Sequence, residues 1–426
     1  MNVTPMKNRD HVAPNRGIGQ WLLTRFNRVT TSGKFISEID GLRFIAIGTV
    51  VLFHIAINLA IKSPEAYGHS REGTLIWDVA RFGYHGVELF FVISGFILAS
   101  PFAAHRLLGK PRVSLKQYFL RRVTRLEPPY MVCMIFFFLV AVYVKGGSIA
   151  DLLPHLGASL LYLHNVLYNS ESLINNVAWS LEIEIQFYLL VPLLAWLFAI
   201  RNKVVRRGTI VGIIMVSITN QWLFIREGEW MYLSILRFLH FFLIGFLLAD
   251  LYLIDWKGFP NRYWGWDLVS MIGWPLLFLI WNSPEVSVAI LPYGHEPVIG
   301  AYAFPVLTFL LYNAVFRGPL TNRIMTNPWI TTIGGMCYTI YLLHNQFIGT
   351  ILIFTRGFVP TGNYLVNYLI QAAIVIPVML VAASVYFVLI ERPCMRKDWP
   401  RRFADRFKSM FSRRPDRVVS PAPDQL

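Results

Sequence analysis

The chain has 426 residues, of which 55% are hydrophobic and only 15% are charged, and its mean hydropathy is +0.49. This composition excludes a soluble globular domain of ordinary makeup and indicates several membrane-spanning segments. The net charge of +15 is spread over several loops and not gathered on one folded face, so a nucleic-acid partner is not expected.

The first predicted element is an amphipathic helix in a basic N-terminal segment, residues 1–37. Its apolar residues recur at helical spacing with Arg25 and Arg28 between them: Ile18, Trp21, Leu22, Phe26 and Val29. Such a helix is expected to lie on the inner membrane surface. The segment lacks the apolar core and cleavage site of a secretory signal peptide, so the first span is expected to remain as an anchor.

Long apolar runs predict an all-α fold, a polytopic transmembrane helical bundle of about ten spans with ~20 residues each. The expected spans are residues 42–61, 86–104, 126–144, 179–200, 209–225, 233–253, 267–282, 300–316, 330–354 and 364–390. They form one transmembrane domain, residues 38–393. The basic tail that follows, residues 394–426, is expected to be disordered.

The basic residues predict the orientation of the bundle. Most of the 39 lysines and arginines fall on the side of the two termini, which are therefore expected to be cytoplasmic. The opposite side collects six basic residues: Lys62, Arg71, Arg81, Lys145, Arg226 and Arg356. Contact with a lipid bilayer is enough to explain this distribution.

Metal and nucleotide chemistry have little support in the sequence. The three cysteines, Cys133, Cys337 and Cys394, share no metal-ligand spacing and are interpreted as small apolar residues. The chain contains no phosphate-binding glycine-rich loop and no nucleophile elbow. We therefore expect no metal site and no tightly bound cofactor.

A histidine lies inside the first predicted span. The span begins with Asp40, Gly41, Leu42 and Arg43, and His54 follows Arg43 by eleven residues, or about 16 Å along a helix. His54 is therefore expected near mid-membrane, where an ionisable residue is a functional hypothesis by default. The competing interpretation is a core histidine bonded to a neighbouring helix.

The second span carries a carboxylate at its start. Glu88 follows Gly86 by two residues, and the small pair Ser94 and Gly95 permits close approach of another helix. Glu88 is interpreted either as a catalytic acid or as an interfacial residue, and the sequence leaves both open.

The loop before the third span is basic. Arg122 and Arg125 share a helix face at i and i+3 and present two guanidinium groups suited to a phosphorylated ligand. Ordinary inside-positive charge at the end of a span is the alternative interpretation.

The fourth and sixth spans add polar residues at helical spacing. Glu184 and Tyr188 are one turn apart, whereas Glu182 points elsewhere. Arg237 and His240 are also one turn apart, nominally within the membrane, and indicate a polar cavity nearby. The alternative is that Arg237 extends to an interface.

In chain order these fragments resemble the acyltransferase 3 family of integral membrane acyltransferases. The resemblance runs from about residue 38 to residue 393 and includes a late motif that contains His344 and a closing Glu-Arg-Pro motif. The matching fragments are residues 40–43 with His54, 86–96, 122–128, 179–188, 337–344 and 391–393. Each fragment alone is weak, and their common order makes the match specific.

The resemblance implies a ten-span bundle in a bacterial inner membrane that takes an acyl group, usually acetyl, from acyl-coenzyme A in the cytoplasm. The implied acceptor is a hydroxyl of an envelope carbohydrate or another small molecule. His54 would be the essential histidine, with Glu184 and Glu88 as the acidic residues of the motifs. Arg122 and Arg125 would lie near the coenzyme A phosphates.

The expected chemistry is general-base catalysis, in which neutral His54 removes the proton of the acceptor hydroxyl. Glu184 is the candidate to hold the other ring nitrogen, and an acyl-histidine intermediate stays open. Arg43 is expected to assist donor binding. The candidate substrate-binding residues are Tyr188, Arg237, His240 and His344, and for His344 a structural role ranks first.

Two other classes of protein stay open. One is a transporter or flippase that moves an envelope lipid or sugar along the same polar residues. The other is a glycosyltransferase with a lipid-phosphate donor, which would ignore acyl-coenzyme A. An assay of donor binding separates the three, and the sequence makes no prediction of the oligomeric state.

Overall fold

The computed structural model describes residues 18–28, 35–63, 74–225, 227–282, 298–396, 398–400, 402 and 405. Within these residues every regular element is helical, which confirms the all-α prediction. The α-helices are α1 (Ile18–Phe26), α2 (Ser37–Lys62), α3 (Leu75–Phe82), α4 (Gly86–Leu108), α5 (Leu115–Tyr143), α6 (Ile149–Leu160), α7 (His164–Tyr168), α8 (Trp179–Leu194), α9 (Lys203–Phe224), α10 (Ile235–Ile254), α11 (Gly265–Asn282), α12 (Val298–Arg317), α13 (Pro319–Met325), α14 (Pro328–Gly335), α15 (Cys337–Thr355), α16 (Tyr364–Tyr386) and α17 (Arg392–Cys394). A π-helical turn, Phe387–Glu391, joins α16 to α17.

Seven helical segments of the described residues are long and apolar enough to cross a membrane, which identifies a multi-pass membrane protein. They are Ser37–Lys62, Leu75–Leu108, Leu115–Tyr143, Asn176–Ala199, Ile235–Ile254, Cys337–Thr355 and Tyr364–Cys394. The pair Gly300–Arg317 and Pro319–Met325, bent by 87°, would be an eighth. Each of the ten predicted spans coincides with helix, but α9 and α11 fall outside this set. The number of spans and the side of the termini therefore stay predictions.

One predicted span, residues 330–354, is divided in the structure. Helix α14 ends at Gly335 and α15 begins at Cys337. Gly334 packs so closely on the backbone of Asp40 that any side chain there would collide with the Asp40 carbonyl. The close approach of α14 to α2 thus depends on a residue without a Cβ.

Helices α4 and α10 also approach each other through glycines. The backbone of Gly95 meets that of Phe242, and the backbone of Gly245 meets that of Val92 and Phe96. A Cβ on either glycine would overlap main-chain atoms of the other helix. The prediction that Gly95 permits close helix packing is therefore confirmed.

Helix α2 lies at the centre of the bundle, where it packs against α4, α14, α15 and the turn before α4. The predicted N-terminal helix is present as α1, which packs on α14 through Gly19 and Trp329. Val29, which the prediction included, and most of the tail expected to be disordered lie outside the described residues.

Candidate active site

A cavity opens between α2, α4, α5, α8 and the start of α15, with about 870 Å³ of empty space, part of it continuous with solvent. Apolar side chains of α4 form one wall. The polar lining residues are Arg43, Ser94, Arg122, Arg125, Ser180, Glu184, Tyr188, Cys337, Tyr338, Tyr341 and Glu391. The structure therefore brings together five of the residues singled out in the sequence, namely Arg43, Arg122, Arg125, Glu184 and Tyr188.

The three arginines reach the cavity from two helices. Arg122 lies over the rings of Tyr118 and Tyr188, with its guanidinium carbon 5.7 and 5.5 Å from their centroids. Such contacts hold a guanidinium group without neutralising it. Arg125 has a buried Nε with no hydrogen-bond partner among the described residues. A buried donor of this kind is costly unless a ligand satisfies it, so the arrangement favours an anion in the cavity.

Asp40 anchors the third arginine. Arg43 donates to its Oδ1 at 2.5 Å, and Arg28 lies 3.7 Å from Oδ2. Burial, followed by the positive charge of Arg43, lowers the pKa of Arg28 to about 9 against the opposing effect of Asp40. Arg28 thus stays charged at neutral pH and adds to the positive potential at this end of the bundle. The sequence placed Arg28 only on a surface helix and did not indicate this contact.

The cavity contains two glutamates with different partners. Glu184 accepts hydrogen bonds from Ser94 Oγ at 2.5 Å and from Tyr188 Oη at 2.7 Å. Glu391, in the π-helical turn, accepts from the backbone N–H of Thr339 at 3.1 Å and from its hydroxyl. Sequence analysis identified Glu391 only as part of a closing motif, and its position in a π-helical turn is typical of functional sites.

His54 lies behind the cavity wall and not on it. Its ring makes an edge contact with His344, with centroids 4.8 Å apart, and is within hydrogen-bond reach of the Asn345 side chain. His344 in turn lies 5.5 Å from the ring of Tyr341, which does line the cavity. His344 therefore contacts a side chain that lines the cavity, and His54 contacts His344.

His344 is held in one tautomer by its own helix. Its Nδ1 lies 2.7 Å from the carbonyl oxygen of Tyr341 and 3.2 Å from that of Ile340. Because a carbonyl oxygen only accepts, Nδ1 must carry the proton. In the neutral ring Nε2 is then an acceptor, and this atom is buried without a partner among the described residues.

The expected contact between His54 and Glu184 is not made. The described partners of Glu184 are Ser94 and Tyr188, whereas His54 contacts His344. His344, which the sequence ranked as structural, lies beside the His54 ring instead, in an edge contact without a hydrogen bond between the two rings among the described residues.

Glu88 is paired elsewhere in the structure. Its Oε2 lies 2.7 Å from Nδ1 of His85, and both side chains are buried. The ring of Phe304 packs 4.7 Å from His85. The i, i+3 spacing of His85 and Glu88 was a signal for this pair that the sequence analysis did not use.

Arg237 and His240 form a separate group between α9 and α10. Arg237 lies over the ring of Tyr232, with its guanidinium carbon 3.8 Å from the centroid, and His240 Nδ1 is 3.4 Å from Ser217 Oγ. Neither residue lines the arginine-containing cavity. Their assignment to substrate binding stays a prediction.

Glu182 has a structural role, in agreement with its direction away from Glu184. It is fully buried and accepts from the backbone N–H groups of His164 and Asn165 at 3.2 and 2.8 Å. These are the unpaired donors at the start of α7, so Glu182 caps that helix from a distant segment.

Comparison with known proteins identifies relatives that are named O-acetyltransferases. An O-acetyltransferase OatA of Staphylococcus aureus (strain MRSA252) is 24% identical over 408 residues, which cover 90% of this chain and 61% of the relative. A peptidoglycan O-acetyltransferase OatA of Listeria monocytogenes serovar 1/2a is 28% identical over 207 residues, which cover 46% of this chain and 29% of the relative. The chain thus spans about three fifths of the length of the first relative. No solved structure shows a significant match.

The family comparison covers most of the chain. The acyltransferase 3 family model, described as an acyltransferase domain, matches residues 36–388. This range includes the histidine-bearing α2, the basic start of α5 and the carboxylate-bearing α8, and ends just before Glu391. The chain therefore belongs to the acyltransferase 3 family and is an acyltransferase.

Proposed function

We propose that this acyltransferase takes an acyl group, most simply acetyl, from acyl-coenzyme A and transfers it to a hydroxyl of an envelope carbohydrate or other small acceptor. The observation that carries the proposal is the convergence of Arg43, Arg122 and Arg125 on one cavity. Guanidinium groups bind phosphate oxygens in bidentate geometry, and coenzyme A presents a diphosphate and a further phosphate. The names of the relatives support acetyl as the group and peptidoglycan as one kind of acceptor.

The lining of the cavity suits the two parts of this donor. Phosphates stay at the arginines because their transfer into hydrocarbon is very costly. The pantetheine arm is long and uncharged, and the wall formed by Val87, Phe90 and Ile97 gives its methyl and methylene groups a matching surface. An arm extended along that wall points toward Tyr341 and the two histidines behind it.

His54 acts as the general base in this proposal. As the acceptor oxygen bonds to the thioester carbonyl carbon, its proton passes to His54, and collapse of the tetrahedral intermediate breaks the carbon–sulfur bond. The proton then passes from His54 to the coenzyme A thiolate, so the base is regenerated. His344 is assigned to orient His54 through the edge contact of the two rings.

Glu184 receives a different role from the one that the sequence suggested. Its bonds to Ser94 and Tyr188 fix two side chains of the cavity wall, and its charge partly balances the arginines. We assign it as a positioning residue for the donor site. Arg122 depends on the same arrangement, because its guanidinium rests on the Tyr188 ring.

The proposal also places the reaction in the membrane. The arginine-lined cavity opens at the end of the bundle that carries α1 and the basic start of α5, which the positive-inside rule assigns to the cytoplasm. Acyl-coenzyme A is a cytoplasmic metabolite, so the donor would bind from that side of a bacterial inner membrane.

Donor binding is the direct test. The variant R122A/R125A removes two guanidinium groups, each worth about 1.5–3 kcal/mol in a charge-assisted contact, so we expect acetyl-coenzyme A to bind at least 10-fold more weakly. R121A is the matched control, since Arg121 is exposed on the same helix and, among the described residues, bonds to Gln117. Titration calorimetry on detergent-purified protein measures both. A well-folded wild type that ignores acetyl-coenzyme A would contradict the proposal.

A further inference from the structure

A row of polar residues continues from the two histidines to the end of the bundle opposite the arginines. On α2, His54, Asn58 and Lys62 recur every four residues and share one face. From Arg43 to Lys62 the helix rises about 28 Å, close to the ~30 Å thickness of a hydrocarbon core. His54 lies between, about 16 Å from Arg43 and about 12 Å from Lys62 along the helix.

Three asparagines are bonded to one another next to His54, and we call them the amide cluster: Asn58, Asn176 and Asn345. Asn58 Nδ2 donates to Asn345 Oδ1 at 2.9 Å, and Asn345 Nδ2 donates to Asn176 Oδ1 at 2.6 Å. Asn58 Nδ2 also donates to the carbonyl oxygen of His54 at 2.8 Å. All three side chains keep partial exposure, so they are in reach of a ligand.

Beyond the amide cluster lie three basic residues, which we call the cation rim: Lys62, Lys145 and Arg356. Lys62 Nζ donates to the carbonyl oxygen of Gly349 at 2.6 Å, and Arg356 donates to the carbonyl oxygen of Lys62 at 2.6 Å. Lys145 Nζ donates to Gln346 Oε1 at 3.2 Å. Within the described ranges no carboxylate comes within ion-pair distance of these three cations. One carboxylate, that of Glu171, lies next to Asn176 of the cluster.

We propose that the amide cluster and cation rim bind the acceptor, a carbohydrate that carries negative charge, and deliver its hydroxyl to His54 from the side opposite the donor. This inference rests on the proposed function and assigns the acceptor class and its path.

The chemistry of the two groups identifies the class of ligand. Amide side chains both donate and accept, as sugar hydroxyls do, whereas a lipid chain would leave them unsatisfied. Among the residues that the structure describes, these three cations face the carboxylate of Glu171 alone, a balance that attracts an acidic chain and repels a basic one. The donor phosphates and the acceptor then lie at opposite ends of the path, and the acyl group meets the acceptor hydroxyl near Tyr341, which lines the cavity and contacts His344.

The test compares two oligosaccharides of equal length on protein in lipid nanodiscs: tetragalacturonate, which is acidic, and maltotetraose, which is neutral. Wild type is expected to bind tetragalacturonate at least fivefold more tightly, with an affinity that falls as salt rises. The variant K62Q/K145Q/R356Q is expected to lose the preference, and N345L to weaken both ligands. The control R81Q, at an exposed cation predicted on the same side, is expected to behave as wild type.

Acetyl-coenzyme A binding is measured on the same samples to keep the two proposals apart. All variants retain it if the donor site is independent of the acceptor site. Equal binding of the acidic and neutral oligosaccharides, or an effect of R81Q as large as that of the triple variant, would overturn the acceptor assignment while donor binding persists. Loss of acetyl-coenzyme A binding by wild type would instead count against the proposed function.

Discussion

At the scale of single residues, His54 illustrates how far a sequence can be interpreted. Its depth in the membrane is a prediction from its distance to Arg43, because helix rise is constant. Its partner did not follow, because His344 lies almost the whole domain away in sequence and no local pattern joins the two. The local pair His85 and Glu88 was within reach of sequence reasoning, since i, i+3 neighbours meet on a helix.

Replacement of His54 separates chemistry from binding. We expect H54A to lower kcat for acetyl transfer about 100- to 10,000-fold, the usual contribution of a general base, while the Kd for acetyl-coenzyme A stays within about twofold. H105A is the control, because His105 bonds to the Lys110 carbonyl at the end of α4, away from the cavity. Initial rates with radiolabelled acetyl-coenzyme A measure kcat. A kcat unchanged in H54A would exclude His54 as the base.

At the scale of elements, the pairing of α4 with α10 shows what glycine contributes within a membrane. Lipid tails are as apolar as leucine side chains, so helices associate by close packing and not by burial alone. Close helix packing at Gly95 was predicted from the small pair that it forms with Ser94. The role of Gly245 in the same contact is evident only from the structure, where its backbone meets that of α4. The break between α14 and α15 falls at the pair Gly334 and Gly335, a breaker signal that the sequence analysis did not use.

Substitution at this crossing tests the packing. We expect G95A to destabilise the protein by about 1–3 kcal/mol, the typical cost of an overpacked core, because its Cβ meets the Phe242 carbonyl. G212A on α9 is the matched control, since no atom lies within 4 Å of the added Cβ. Thermal unfolding in detergent should show a lower Tm for G95A alone. Equal values of Tm for the two variants would contradict a close α4–α10 contact in solution.

At the scale of the whole molecule, positive charge lies at both ends of the helical bundle, and the two ends differ in the residues that surround it. One end has the arginines of α2 and α5 around a cavity, and the other has the cation rim beside amides. The positive-inside rule, applied to the sequence, predicted that one end would carry many more basic residues than the other. It did not predict that three of the far-side cations, Lys62, Lys145 and Arg356, lie together beside the two helices that carry the histidines.

Cysteine labelling at one position on each of these two ends measures the membrane topology directly. Single cysteines at two exposed positions, R121C and K145C, are expected to react with a membrane-impermeant maleimide from opposite sides. K145C should be labelled in intact cells and R121C only in inverted vesicles. Two of the native cysteines, Cys133 and Cys394, are buried, and wild type provides the background for Cys337. Labelling of both variants from the same side would refute the predicted orientation.

The direct bonds among Asn58, Asn345 and Asn176 have a consequence for the cell's energy supply. A protein with polar side chains from one membrane face to the other risks a leak of ions down the membrane potential, about 2.3 kcal/mol per charge for each 100 mV. Here the amides bond to one another and to the main chain, and the fully buried Ile55, Leu59 and Ile348 flank them. We expect such a seam to hold two sites in series while it limits the leak of ions across the bilayer.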